Sequence, residues 1–151
     1  MAYPSLTTPA NPAAKAPTVT RLWALAVMLA ALGLLIVSAA LTPDARGHGT
    51  HLKLGLPVCG FVLAFNKPCM TCGMTTSFAL AANGRLLTAL AVQPAGAILA
   101  VLTASTAWLA GLVALLGLRV HAPLAPLARP RMLLIVGGVL LLAWAYKWFI
   151  W

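Results

Sequence analysis

Acid is the scarcest commodity in this chain: Asp44 is its one acidic side chain, and there is no glutamate. Without a second carboxylate, glycosidase-type acid–base chemistry is excluded. Without acidic clusters, there is no cage for Ca²⁺ or Mg²⁺. A Ser–His–Asp triad has only Asp44 to orient a distant histidine, a poor arrangement for a hydrolase. Charge of either sign is rare. It amounts to 7% of 151 residues, whereas soluble domains carry roughly 25%. Long polar segments are missing too, and 62% of the residues are hydrophobic. A water-soluble globule is therefore not expected, while a few membrane spans fit the length.

What charge there is has one sign: ten Lys or Arg give a net +9. In a soluble protein that would suggest nucleic acid. Here Lys15, Arg21, Arg46, Lys53, Lys67, Arg85, Arg119, Arg129, Arg131 and Lys147 mostly flank apolar runs rather than cluster. Cations so placed sit at headgroup level and meet the lipid bilayer, so no nucleic-acid partner is expected.

The apolar runs set the organisation. Residues 1–20 contain Pro4, Pro9, Pro12 and Pro17 among small polar residues and read as a disordered tail. Residues 21–151 read as one membrane domain. Leu22–Leu41 carries no charge, and at 1.5 Å per residue it covers about 30 Å, the hydrocarbon thickness. A cleaved signal peptide is the rival reading of that run, with Val37-Ser38-Ala39 as the small-residue site. Further spans are expected at about 95–118 and 132–151. The last ends in Trp144, Tyr146, Trp148 and Trp151, an interfacial aromatic belt in which Lys147 can snorkel. The Pro-rich connector at 121–131 lies between them.

The segment at about 48–93 holds apolar pieces too short to cross, among them Leu54–Phe65, Met70–Ala82 and Leu86–Gln93. Such pieces lie in the interface or re-enter. The expected fold class is thus all-α and integral to the membrane. It has about three transmembrane helices plus short interfacial or re-entrant helices carrying a CxxCG motif. A multi-pass membrane location follows. The cation count is equal on the two sides. Only the arginines of the short connector favour an inside N-terminus. Two small-residue stripes, Thr103/Ala107/Gly111 and Gly96/Ala100/Ala104, allow close helix approach, although an Ala-rich chain produces such stripes by chance.

Chemistry concentrates in Cys69-Met70-Thr71-Cys72-Gly73-Met74-Thr75-Thr76, with Pro68 before it and Cys59 upstream. Pro68 can open a helix, which would put Cys69 and Cys72 on one face and make Cys69 the more reactive thiol. The pair can close a disulfide or exchange one. Cys59, Cys69, Cys72 and His51 also form a Cys₃His set suited to zinc, with His48 as substitute ligand. Met70 and Met74 add thioethers, which makes Cu(I) the weaker alternative. Plainer readings are one disulfide with a buried thiol, or three packing thiols. The hydroxyls of Thr75, Thr76 and Ser77 are expected to bond backbone carbonyls or a neighbouring helix.

The motif resembles the C-P-x-C-G-x-T-R signature of domain-of-unknown-function family 2752, a bacterial family of small membrane proteins. Cys59 matches an earlier family cysteine, and Gly84–Pro94 matches a Gly-led segment reaching the Pro that opens the next span. The resemblance covers about residues 55–118. Met70 stands where the family usually has Pro, and Thr76 where it usually has Arg. The resemblance implies a helical membrane fold that keeps the three cysteines together. It implies no activity.

Three functions follow as expectations. The first is a non-enzymatic accessory or scaffold component with a cysteine knuckle held by disulfide or metal. Its partner would be a membrane protein or a second copy. The second is a membrane thiol–disulfide protein using Cys69 and Cys72. The third is Zn or Cu handling. The missing acids, and spans without a polar path, favour the first.

Overall fold

Apolar runs punctuated by Pro and Gly dictate helices with sharp ends, and helices are what form. The computed structural model describes residues 15–118 and 130–150. Residues 1–14 of the expected tail, most of the 121–131 connector, Arg119 and Trp151 lie outside them. Six α-helices occur among the described residues: α1 (Thr18–Ala40), α2 (Gly60–Phe65), α3 (Met74–Ala82), α4 (Leu86–Val92), α5 (Pro94–Leu116) and α6 (Pro130–Phe149). A 3-10 turn at Thr50–Leu54 precedes α2, and no strand occurs among the described residues. Helix α1 starts at Thr18, inside the segment read as tail, with Pro17 at the N-cap position and its carbonyl accepting from the Arg21 N–H (3.1 Å). Pro94 opens α5, as a residue without an N–H can at a first turn, and Gly117 closes it in the left-handed region at φ 69°.

Two helices, α1 and α5, are long and apolar enough to cross a membrane. The apolar part of α6, Leu134–Phe149, is shorter. Side chains are distributed inside-out. The largest fully buried ones are Gln93, Thr50, Thr76, Pro68 and Ser77, four of them polar. Large apolar side chains point outward: Trp23 is 70% exposed, Ile36 66% and Trp108 72%. Water would penalise that surface, whereas hydrocarbon would not.

Helix α1 packs along α5, and its ends are tied down. At one end Arg21 donates to the Ala114 carbonyl (3.0 Å) and the Leu115 carbonyl (3.3 Å), the last turn of α5. Those carbonyls have no intrahelical donor, and a cation suits the negative end of the helix dipole. At the other end Asn83 donates to the Ala39 carbonyl (3.1 Å). Both small-residue stripes are used in part. A Cβ on Gly96 would meet Ser77 Cβ at 3.0 Å, and one on Gly111 would meet Met28 Sδ at 3.2 Å. Ala100 and Ala107 are buried, but Ala104 is exposed.

The short helices stack over the start of α5. Leu80, Ala89 and Ala97 bring α3, α4 and α5 together in a small apolar core. Ser77 threads that core, donating toward both the Ala89 and Gln93 carbonyls at 2.9 Å. The end of α1, the start of α5 and the end of α6 meet this layer, so the cysteine-bearing subdomain caps one end of the long helices.

Candidate functional site

The turn carrying Cys69 and Cys72 lies before a helix rather than in one. The Cys72 N–H donates to the Cys69 carbonyl (3.0 Å), the Met74 N–H to the Thr71 carbonyl (3.0 Å), and α3 begins only at Met74. The expected helix start at Pro68 does not form because Gly73 sits at φ 84°, a left-handed position that interrupts a right-handed run. Two needs explain this glycine. A Cβ there would adopt a strained backbone and would lie 2.6 Å from the Gly47 carbonyl and 3.2 Å from Lys147 Nζ.

Polar contacts clamp the turn from three directions. From the 44–50 loop, the Thr50 and Thr76 hydroxyls meet at 2.7 Å, both buried, and Thr50 Oγ1 also accepts from the Asp44 N–H (3.0 Å). From the start of α5, Gln93 Nε2 donates to the Met70 carbonyl (3.3 Å). From α6, Trp144 Nε1 donates to the Pro68 carbonyl (3.1 Å). Lys147 Nζ donates to the Val92 (3.1 Å) and Gly47 (3.4 Å) carbonyls. Lys147 is only 4% exposed, so it does not snorkel. The Val92 carbonyl at the end of α4 and the Gly47 carbonyl of the 44–50 loop hold it instead. The aromatic end of α6 is likewise more than a belt. Tyr146 donates to the Ala91 carbonyl (2.9 Å), and Lys67 Nζ lies 5.2 Å over the Trp148 ring.

Over this clamp lies a cavity of about 230 Å³. His51, Cys59, Cys69 and Cys72 all line it, with Gly73 and the first turn of α3. The structure thus brings the four residues of the sequence-derived Cys₃His set to one cavity. Among the described residues, however, no three His, Cys, Asp or Glu side chains group so as to hold a metal ion. All three thiols are free rather than joined in a disulfide. His48 turns elsewhere, its Nδ1 lying 3.0 Å from the Arg46 carbonyl.

The thiols are not equivalent. Cys59 immediately precedes α2. The Val62 N–H, the Cys69 thiol and the Phe61 N–H stabilise its thiolate, pulling its pKa below the ordinary value against the opposing effect of burial. Cys72 is buried, and burial, reinforced by nearby Cys69 and Cys59 against the opposing charge of Lys147, pushes its thiol up to about 11. Cys69 is half-buried between them, 3.5 Å from Thr71 Oγ1. Sequence spacing favoured Cys69 as the reactive thiol. The signal for Cys59 was there, in the Gly60–Phe65 run behind it, but only the folded loop points those amides at the sulfur.

Asp44 lies at the edge of the loop and pairs with Arg46 at 2.9 Å. The Arg46 side chain and backbone N–H together hold the Asp44 carboxyl well below the usual carboxylate range. A carboxyl lowered in this way favours the folded loop above its unfolded pKa. That contribution fades only as pH falls toward strong acid.

With this geometry in place, the comparison with known families is specific. Residues 59–107 match the family described as Protein of unknown function (DUF2752). The match begins at Cys59 and runs through Cys69, Cys72, α3 and α4 into α5. It therefore contains every thiol of the site, while α1, α6 and His51 lie outside it. No curated protein and no solved structure matches the chain.

Proposed function

We propose that this is a multi-pass protein of the bacterial inner membrane that exchanges thiols and disulfides at the membrane surface. Cys59 would be the attacking group and Cys69 the resolving one. The observation that carries the reading is the gathering of three free thiols around one cavity, with the Cys59 pKa lowered and that of Cys72 raised. The Cys59 thiolate attacks one sulfur of an external disulfide and expels the other as a thiolate. Deprotonated Cys69 then attacks the Cys59 sulfur of the mixed disulfide and releases the second half. The protein gives up two electrons and two protons to the external disulfide and gains a Cys59–Cys69 bond. Run in reverse, the oxidised pair oxidises an external dithiol. Cys72 stays protonated and buried, out of the exchange.

In the membrane, α1, α5 and α6 would be three spans running up, down and up, with α1 retained as a packed element. The packing of α1 on α5 and the outward apolar side chains support that arrangement. With the connector arginines inside, the cysteines face the oxidising exterior, where exchange has substrates. The test is exchange with a small-molecule disulfide by protein purified in mild detergent. Cys59→Ser should abolish it, Cys69→Ser should trap a mixed disulfide, and Cys72→Ser should retain the rate within about twofold. Equal activity in all three variants would remove the reading.

A metal knuckle is the second reading, favoured by His51 lining the same cavity as the three cysteines. Zinc would be the metal, with Cu(I) the weaker alternative. It predicts about one ion per chain, lost in Cys72→Ser. A structural knuckle of this kind would suit an accessory component whose partner is another membrane protein or a second copy.

A further inference from the structure

We propose that the protein carries a binding site for an anionic glycerophospholipid, built from a groove on the α1/α5 face and a basic notch at its mouth. The groove has a volume of about 550 Å³ and is walled by α1, α3, α4 and α5, with Leu32, Ile36, Leu86, Val101 and Ala104 among its lining. That volume falls in the range of roughly 300–1,000 Å³ typical of ligand sites. The lining is almost wholly apolar, which suits an acyl chain and offers nothing to a polar ligand. A second hollow adjoins it, sharing Ala39 and walled by Thr42, Asn83 and Arg85. The two meet along the turn between α3 and α4.

Charge selects the occupant. Arg85 is exposed on the notch, and its side chain makes no hydrogen bond or ion pair with any described residue. Lys53 Nζ donates to the Thr42 carbonyl (2.9 Å), which brings a second cation to the same rim with donor capacity left over. The chain cannot neutralise them itself. Its one acid, Asp44, is already held by Arg46. Thr42, which holds Lys53, follows the end of the long apolar helix α1, and Arg85 follows the short helix α3 packed beside that end, so both cations lie at the level where α1 stops and headgroups begin. A phosphate at Arg85 and Lys53, with one chain laid into the groove, satisfies both halves of the site at once. Ala104 is exposed because a lipid chain, rather than a helix, covers its face.

The inference rests on the membrane reading but not on the thiol chemistry. Loss of exchange activity leaves it intact, and failure of the protein to stay in alkali-washed membranes would remove the membrane reading separately. The test is native mass spectrometry of the purified protein with phosphatidylglycerol and phosphatidylcholine of matched chains. Each basic side chain at the headgroup is worth roughly fivefold. Wild-type protein should therefore prefer phosphatidylglycerol by at least that factor. Arg85→Gln should lose about fivefold of the preference, and Arg85→Lys should keep most of it. Short-chain phosphatidylglycerol should fail to bind wild-type protein, a check that needs no variant. Equal retention of the two lipids, a preference unchanged in Arg85→Gln, or a dimer that phosphatidylglycerol does not dissociate would overturn the proposal.

Discussion

Gly73 has two independent reasons to be glycine: a φ of 84° and a neighbouring carbonyl 2.6 Å from where a Cβ would stand. The backbone strain alone costs about 1–3 kcal/mol, and the overlap adds to it. Gly73→Ala should therefore lower the midpoint of thermal unfolding in detergent by several degrees. An unchanged midpoint would show that the turn relaxes freely. Thiol reactivity is the second consequence at this scale. Alkylation followed by peptide mass spectrometry should modify Cys59 first, at a pH below the roughly 8.5 of an ordinary thiol. Cys72 should react last, since burial pushes it up to about 11. The motif residues were legible in the sequence, but the ranking of the thiols was not. CxxC spacing points to the Cys69–Cys72 pair. The groups that differentiate the thiols, the Val62 amide for Cys59 and burial for Cys72, come from folding.

Helix α6 shows what an element-level reading of hydropathy captures and what it misses. A terminal apolar run ending in Trp144, Tyr146, Lys147 and Trp148 was legible as a helix. Its role as a clamp was not, because each acceptor is a backbone carbonyl far away in the chain: Pro68, Ala91, Val92 and Gly47. No sequence pattern marks such acceptors. Lys147→Met keeps the apolar stem but leaves the Gly47 and Val92 carbonyls without this donor. It should loosen the turn and speed hydrogen–deuterium exchange of the Cys72 and Met74 amides by roughly tenfold, equivalent to about 1.4 kcal/mol of easier local opening. An unaltered rate would mean that α6 does not hold the turn closed. The helix boundaries teach a similar lesson. Pro17, Pro94 and Gly117 punctuate α1 and α5 as their chemistry requires. Gly73 moved the start of α3 past the cysteines, since the sequence shows a glycine but not the sign of its φ.

At the scale of the whole molecule, the two helices long and apolar enough to cross a membrane were the most legible feature, because they rest on composition and on the lengths of uncharged runs rather than on any single contact. The inside-out distribution of side chains agrees with them: buried Thr50, Thr76, Ser77 and Gln93, exposed Trp23 and Trp108. Orientation stayed open because the cations on the two sides balance. If the N-terminus is inside, a membrane-impermeant maleimide added to intact cells should label Cys59, and labelling only after lysis would reverse the topology. The central claim, that Cys59 and Cys69 form an exchanging pair while Cys72 stands apart, is tested most directly by mapping linkages. The protein would be treated with a small disulfide, quenched in acid and digested without reductant, and the cross-linked peptides identified by mass spectrometry. The account predicts a Cys59–Cys69 linkage with Cys72 recovered as a free thiol. A Cys69–Cys72 linkage, or three thiols protected by a stoichiometric metal ion, would contradict it.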